Sequence, residues 1–241
     1  MKIMTSTFIF CSLCLLTISF SGGRCQSSIA SAQAGDKLVY ADFELMKDGR
    51  PVSSRGGRIQ LQGGQENPTL QSKFKGLEGT DAPELVRLKP DDPNKAATFT
   101  YELTSPNHYA NVTLNVHALP DKDGKPVGED ISAYKFITLQ VYAQGTPKPT
   151  GVQMVRIELI SRGQGVNLEW GFPRAAFKLS PAGFNTYKIA LKSLAQPQYA
   201  PDKVDLKEVL KKLTEVNIDV YCEPCVPISG MVVIDNITFT N

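Results

Sequence analysis

Apolar and polar residues alternate along most of the chain after Asp36. A period of two is typical of a β-strand with one face in a core, because successive side chains point to opposite sides. Turn-forming pairs, Asp48-Gly49 and Gly63-Gly64 among them, separate the alternating segments. The pattern predicts strands at residues 38–45, 97–104, 111–118, 134–143, 152–160, 185–191, 216–221 and 230–239. Many strands joined by turns, without a regular alternation of strand and helix, predict an all-β, antiparallel β-sandwich or jelly roll.

One segment, VDLKEVLKKLTEV at 204–216, has the period of a helix instead. Asp205 can cap its first turn, and Glu208 follows three residues later, as in a capping box. Its apolar residues form one stripe: Leu206, Val209, Leu210 and Leu213. We expect this short helix to cover an edge or an open end of the sandwich.

The chain begins MKIMTSTFIFCSLCLLTISF, in which Lys2 precedes an apolar run without charged residues. This is typical of a secretory signal peptide, and the run is short for a membrane anchor. We expect cleavage after Cys25 or after Ala34. Residues 1–34 are then signal and leader, and residues 35–241 form a single sandwich domain that is secreted or periplasmic.

Charge is balanced in the expected mature chain. The full sequence has 26 basic and 24 acidic residues, and Lys2 and Arg24 would leave with the leader. No basic run or acidic tail stands out, which argues against nucleic acid or an anionic membrane as the main partner.

Two of the five cysteines, Cys222 and Cys225, follow the predicted strand at 216–221 closely, while the other three lie in or beside the leader. In an exported chain this spacing predicts a disulfide that closes a tight turn. A redox-active pair normally opens a helix, which is not the context here. A zinc site would need two further ligands, for which His108 and His117 are the remaining soft candidates.

Five segments in this order resemble the galactose-binding-like β-sandwich superfamily: DFE at 42–44, ISAYKFITLQVYA at 131–143, FNTYKIAL at 184–191, VDLKEVLKKL at 204–213 and GMVVIDNITF at 230–239. This fold occurs in carbohydrate-binding modules and in the complex I intermediate-associated protein family. The resemblance implies a structural calcium ion, with Glu44 and Asp235 as side-chain ligands and Asp42 as a possible third.

Asp235 is otherwise hard to explain, because it stands in the centre of an apolar strand. By simple alternation it shares a face with Met231, Val233, Ile237 and Phe239. A buried carboxylate costs several kcal/mol unless it is paired, hydrogen-bonded or bound to a metal. Calcium favours oxygen ligands of this kind. The alternative is that Asp235 accepts hydrogen bonds from backbone amides or pairs with a basic residue.

The same alternation predicts a polar outer surface on three strands. If the aliphatic residues of 111–118, 134–143 and 152–160 point inward, the outward positions carry Asn115, His117, Gln140, Tyr142, Arg156 and Glu158. Planar polar groups and an aromatic ring suit sugar hydroxyls and the apolar face of a pyranose. Trp170 could be a stacking platform or a core residue. The sequence thus favours an exported, non-catalytic module that binds a polysaccharide or glycan.

Two other functions stay open. The sequence has no G-x-S-x-G elbow, no H-E-x-x-H and no phosphate-binding glycine loop. A jelly-roll glycoside hydrolase or lyase needs only two well-placed carboxylates, and Glu102, Glu158 and Glu169 lie on or near predicted strands. Alternatively, the domain is a structural or interaction sandwich whose polar face is merely solvated.

Overall fold

The computed structural model describes residues 35–64, 73–75, 81–103, 108–117, 126–145, 152–163, 171–179, 183–223 and 228–241. The predicted signal sequence and Cys225 lie outside these ranges. Secretion, the cleavage site and the Cys222–Cys225 disulfide therefore stay predictions.

The described residues form an antiparallel β-sandwich with one short α-helix. In chain order the strands are β1 (Lys37–Ala41), β2 (Met46–Lys47), β3 (Arg50–Pro51), β4 (Ile59–Gly64), β5 (Lys73–Lys75), β6 (Glu84–Arg87), β7 (Lys95–Leu103), β8 (Tyr109–Asn115), β9 (Phe136–Gly145), β10 (Val152–Ile160), β11 (Arg174–Lys178), β12 (Asn185–Ala190), β13 (Glu215–Glu223) and β14 (Ile228–Thr240). A 3-10 turn (Leu191–Ser193) and helix α1 (Leu206–Lys211) lie between β12 and β13. All eight predicted strands are present, but the first ends at Ala41 and not at residue 45 as predicted.

Two sheets make up the sandwich. The larger has seven strands in the order β12-β9-β14-β7-β5, with β1 paired to β14 and β6 paired to β7. The smaller has five strands in the order β11-β10-β13-β8-β4. Strands β2 and β3 form a separate hairpin, whose turn residues Asp48 and Gly49 have φ of 50° and 75°. This turn was predicted correctly, whereas Gly63-Gly64 is not a turn but the end of β4.

The core lies between the two sheets and is filled by the alternate residues of their long strands. On β10 these are Val155, Ile157 and Leu159, as predicted, and each is fully buried. Removing such a side chain from water contributes about 1.5–3 kcal/mol. The inward phase of β10 consequently fixes which of its polar residues face outward.

The final strand contains a β-bulge that corrects the expected position of Asp235. The register of β14 against β9 shifts between Asp235 and Thr238, and Asn236 has a φ of 51°. An extra residue in a strand reverses the side-chain phase beyond it. The residues that face the core are therefore Val232, Ile234, Ile237 and Phe239. Simple alternation was wrong here, because Asp235 lies on the opposite face from Ile234 and Phe239.

Helix α1 begins as predicted. The Asp205 carboxylate accepts a hydrogen bond of 2.9 Å from the backbone N–H of Lys207, which caps the first turn. Val209, Leu210 and Leu213 are buried in the core cluster. Within the described ranges, no helix is long and apolar enough to cross a membrane.

Candidate functional site

A groove of about 280 Å³ lies on the five-stranded sheet. Two rows of side chains form its floor, and each row joins residues that stand opposite one another on neighbouring strands. The first row is Gln62, Asn111, Asp219 and Arg156, and the second includes Asn217, Glu158 and Arg174. The remaining lining residues are Tyr109, Arg162, Gly171, Phe172 and Tyr199.

The strand register explains why these side chains meet. Arg156 on β10 stands opposite Asp219 on β13, and Glu158 stands opposite Asn217. Neighbouring strands are about 4.8 Å apart, so opposite residues on one face are in contact range. Because Ile157 points into the core, Arg156 and Glu158 point to the outer face. The predicted pair Arg156 and Glu158 thus lies together in one groove.

Charged groups hold each other in place on the groove floor. Nε of Arg156 lies 2.9 Å from Oδ2 of Asp219 and 3.2 Å from Oε1 of Glu158. Nη1 of Arg174 lies 3.5 Å from the same Glu158 oxygen. A buried pair of this kind is sensitive to the loss of either partner, because the other charge is left unpaired away from water.

Burial raises the pKa of Glu158 from 4.5 to about 7, and the nearby charge of Asp219 adds to this shift. The positive charges of Arg156 and Arg174 oppose the shift without cancelling it. Both protonation states of Glu158 are therefore populated near neutral pH. Burial also raises the pKa of the neighbouring Tyr109 phenol, with a further contribution from Asp219.

The raised pKa of Glu158 gives a pH-dependent stability that Glu158→Gln should remove. The folded state keeps a proton that the unfolded chain loses between about pH 4.5 and 7, so stability of the natural protein falls as pH rises through this window. Within this window the natural protein loses about 1.4 kcal/mol of stability for each pH unit, and Glu158→Gln does not. The difference in free energy of unfolding between the variant and the natural protein should therefore shift by up to about 3 kcal/mol in favour of the variant.

Urea unfolding at a series of pH values measures this difference, and Glu208→Gln is the matched control. Glu208 is a surface acid on α1 that pairs with Lys211. Its replacement should leave the pH profile parallel to that of the natural protein. A parallel profile for Glu158→Gln as well would contradict the raised pKa.

Asn217 brings an unsatisfied polar atom to the groove. It is buried, and its Oδ1 is without a hydrogen-bond partner in the described part of the chain. Leaving a buried polar group unpaired costs about 1–3 kcal/mol, and a ligand hydroxyl would remove that cost.

Tyr199 supplies an exposed aromatic ring at the groove. It is 60% exposed, and the guanidinium carbon of Arg174 lies 5.2 Å from the centre of its ring. The cation–π contact holds the ring beside the groove floor. An exposed aromatic face of this kind is suited to stacking on the apolar face of a sugar ring.

Sequence reasoning missed Asp219, Asn217, Arg174 and Tyr199. Asp219 and Asn217 are the outward polar residues of the predicted strand at 216–221, so the alternation that selected Arg156 would also have found them. Arg174 and Tyr199 gave no such signal. The segment RAAFK of β11 does not alternate, and Tyr199 lies outside the strands.

Two predicted binding residues, Asn115 and His117, do not line the groove. The side-chain amide of Asn115 donates a hydrogen bond of 3.0 Å to the carbonyl of Arg58. Nε2 of His117 lies 3.2 Å from Oε2 of Glu129, whose other oxygen pairs with Arg55. Both side chains make structural contacts beyond the end of β8.

Gln140 and Tyr142 lie on β9, which belongs to the larger sheet. The expectation of one continuous surface across three strands is therefore wrong, because β8 and β10 are in the smaller sheet. Gln140 instead accepts a hydrogen bond of 3.1 Å from Asn236 at the bulge. Trp170 lies outside the described residues, so its predicted stacking role is a prediction only.

A second polar site surrounds Asp235, which is fully buried at the bulge. Its Oδ2 accepts hydrogen bonds of 2.9 Å from the side-chain amides of Asn94 and Asn236, and its Oδ1 accepts one of 2.7 Å from the backbone of Asn236. Burial raises the pKa of Asp235, these hydrogen bonds oppose the rise, and the negative charges of Asp42 and Glu44 add to it. Asp42 and Glu44 thus lie near enough to Asp235 to act on it electrostatically.

The turn at Phe43 places Asp42 and Glu44 near Asp235. Phe43 is fully buried, and its φ of 59° reverses the chain direction between the two acids. Glu44 accepts a hydrogen bond from the backbone of Lys95, and its own N–H donates to Asp42 Oδ1 over 3.2 Å. No basic side chain forms an ion pair with these acids in the described part of the chain. Nor do three acidic, histidine or cysteine side chains in those ranges stand close enough for a preformed metal site.

No protein-family model matches the chain. No curated protein matches it either. Among solved structures, the fold is similar to the family 11 carbohydrate-binding module of the cellulosomal cellulase Lic26A-Cel5E of Clostridium thermocellum, with a TM-score of 0.50, 14% identity, and coverage of 86% of this chain and 96% of that one. A family 11 module from Clostridium thermocellum in complex with a β-1,3-1,4-mixed-linked tetrasaccharide gives the same TM-score and identity, with 86% and 97% covered. At this identity the likeness shows the fold alone, and it confirms the predicted antiparallel β-sandwich.

Proposed function

We propose that the protein is an exported carbohydrate-binding module that holds a glycan chain in the groove of the five-stranded sheet. The observation that carries the proposal is the buried amide oxygen of Asn217, which has no hydrogen-bond partner in the described part of the chain and lies in a groove lined mostly by polar side chains. Such a group is costly without a ligand. The similar fold of a module whose structure holds a mixed-linked tetrasaccharide supports the same function.

The shape of the groove suits a chain better than a single sugar. Its polar rows run from β4 to β11, across five strands. Four gaps of about 4.8 Å give a polar track of roughly 19 Å. Successive sugars of a chain can therefore contact successive strands, with Tyr199 available for stacking and the amides of Asn111 and Asn217 available to the hydroxyl groups.

Titration calorimetry with a panel of soluble polysaccharides, mixed-linked β-glucan included, tests this function. In Tyr199→Ala we expect the affinity for the bound polysaccharide to fall about 2- to 12-fold, since an aromatic contact contributes about 0.5–1.5 kcal/mol. Tyr142→Ala is the matched control, because Tyr142 lies on the other sheet. If Tyr142→Ala lowers the affinity and Tyr199→Ala does not, the ligand lies on the other sheet and the groove is not the site.

Glycan hydrolysis is the second candidate function, and the adjacent acids Glu158 and Asp219 are the observation that favours it. A hydrolase needs one acid whose pKa is raised toward neutral pH, as that of Glu158 is, beside a second carboxylate. Against it, Nε of Arg156 contacts both carboxylates and occupies the space between them. We therefore expect no new reducing ends when a bound polysaccharide is incubated with the protein, and their release would establish hydrolysis.

We further propose that a calcium ion binds at Asp235, Glu44 and Asp42. Support comes from the fully buried position of Asp235 and from the negative charges of Asp42 and Glu44, which act on it and pair with no basic side chain in the described ranges. The three carboxylates do not form a preformed site, so they would have to move together around the ion. Their oxygen atoms suit calcium, which takes six to eight such ligands. The present hydrogen bonds of Asp235 and Glu44 would have to give way partly to the ion. Its role would be to tie the turn at Phe43 to the last strand.

A further inference from the structure

The groove has an uneven distribution of charge between its floor and its opening. The acids are the deeper groups, since the side chains of Asp219 and Glu158 are 2% and 12% exposed. The arginines are nearer to solvent, with 20% exposure for Arg156, 22% for Arg174 and 44% for Arg162. A ligand that enters the groove therefore meets guanidinium groups before carboxylates.

The guanidinium groups of Arg156 and Arg174 keep hydrogen-bonding capacity, although that of Arg156 also lies 5.2 Å from the centre of the Tyr221 ring. Both ion pairs of Arg156 use Nε, so within the described contacts neither one uses Nη1 or Nη2. Arg174 contacts Glu158 at 3.5 Å, at the long limit of a hydrogen bond. An arginine fork can bind two oxygens of a carboxylate or sulfate at once, and such charge-assisted pairs are about twice as strong as neutral ones.

We infer that the groove prefers a glycan chain that carries anionic groups, uronate carboxylates or sulfate esters, which pair with Arg156 and Arg174. The inference rests on the proposed glycan function and specifies the class of sugar. The acids on the floor orient the arginines, because Asp219 and Glu158 hold Arg156 from below. Glu158 in its neutral form leaves the groove with an excess of positive charge.

A pair of chains that differ only in charge tests the inference. Polygalacturonate and its fully methyl-esterified form share one backbone, and a sulfated galactan and its desulfated form make the second pair. At low ionic strength we expect at least a 10-fold higher affinity for the anionic member of one pair or both. The pair that shows the difference distinguishes carboxylate from sulfate recognition.

Two variants of β11 separate specific pairing from general attraction. Arg174→Gln should reduce the preference to less than 3-fold. Lys178→Gln removes the same charge from an exposed position on the same strand, outside the groove lining, and should keep it. If Arg174→Gln lowers the melting temperature, Arg174→Lys is the second variant to test. It keeps the positive charge but lacks the two-pronged guanidinium, so it should still weaken the preference for the anionic chain.

The outcomes for the two proposals are distinct. If the neutral member of each pair binds as tightly as the anionic one, the preference is overturned while the glycan function stands. If Lys178→Gln lowers the preference as much as Arg174→Gln, the attraction is general and the specific pairing is overturned. If neither pair binds and the wider panel of polysaccharides fails as well, the glycan function itself is overturned.

Discussion

Replacing Arg156 with methionine is expected to lower the free energy of unfolding by about 3–5 kcal/mol at a pH of about 8. The substitution keeps an unbranched, flexible side chain and removes the charge between Asp219 and Glu158. Asp219 is almost completely buried, so its carboxylate would lose its ion pair without gaining water. The negative charge of Glu158 would then repel that of Asp219, which further lowers the free energy of unfolding.

The loss should become smaller at acidic pH. In the natural protein, Glu158 already takes up its proton near pH 7. Without the positive charge of Arg156, Glu158 should take up its proton at a higher pH. At a pH of about 5 Glu158 is then neutral and no longer repels Asp219. Urea unfolding at both pH values measures the difference.

Two control variants locate the effect in the buried pair. Lys211→Met removes a cation that pairs with Glu208 on the surface of α1, and a much smaller loss of stability is expected, because solvent screens an exposed ion pair. The double variant Arg156→Met/Asp219→Leu removes both charges, and it should recover part of the stability, since a buried ion pair can be replaced by apolar residues of similar volume. An Arg156→Met variant as stable as Lys211→Met would show that the network contributes little.

The sequence predicted the sandwich well because most of its long strands alternate apolar and polar residues over much of their length. On β10 the side chains of Val155 and Ile157 are buried, so Arg156 between them points outward. Helix α1 was predictable from its capping residue Asp205. The short strands β2, β3, β4, β5, β6 and β11 were missed, since none is longer than six residues and a period of two is hard to see over so few positions.

The candidate site was predicted only in part, for two physical reasons. Alternation tells which residues face outward on a strand but not which sheet the strand joins, so Gln140 and Tyr142 were grouped with Arg156 although β9 lies in the other sheet. A β-bulge also reverses the phase within one strand. The pair Asp235-Asn236 was the available signal, because asparagine tolerates the positive φ that the bulge needs.

Calcium is expected to raise the melting temperature of the protein, and Asp235→Asn is expected to abolish that rise. A ligand that binds only the folded state stabilises it by RT ln(1 + [L]/Kd), about 4 kcal/mol at a thousandfold excess over Kd. The substitution keeps the shape of the side chain and an oxygen for the hydrogen bond from Asn94, but it removes the charge that would hold the ion. Thermal unfolding in calcium and in a chelator gives the comparison.

The matched control is Asp91→Asn, which removes an exposed acid from the loop that also carries Asn94. It should keep the full response to calcium, and magnesium should give a smaller response, because magnesium dehydrates reluctantly and demands a strict octahedral geometry. Melting temperatures that are equal in calcium and chelator would contradict the metal site. If Asp235→Asn were then also strongly destabilising, the role of Asp235 would be structural. Its carboxylate would stabilise the bulge by accepting hydrogen bonds from Asn94 and Asn236.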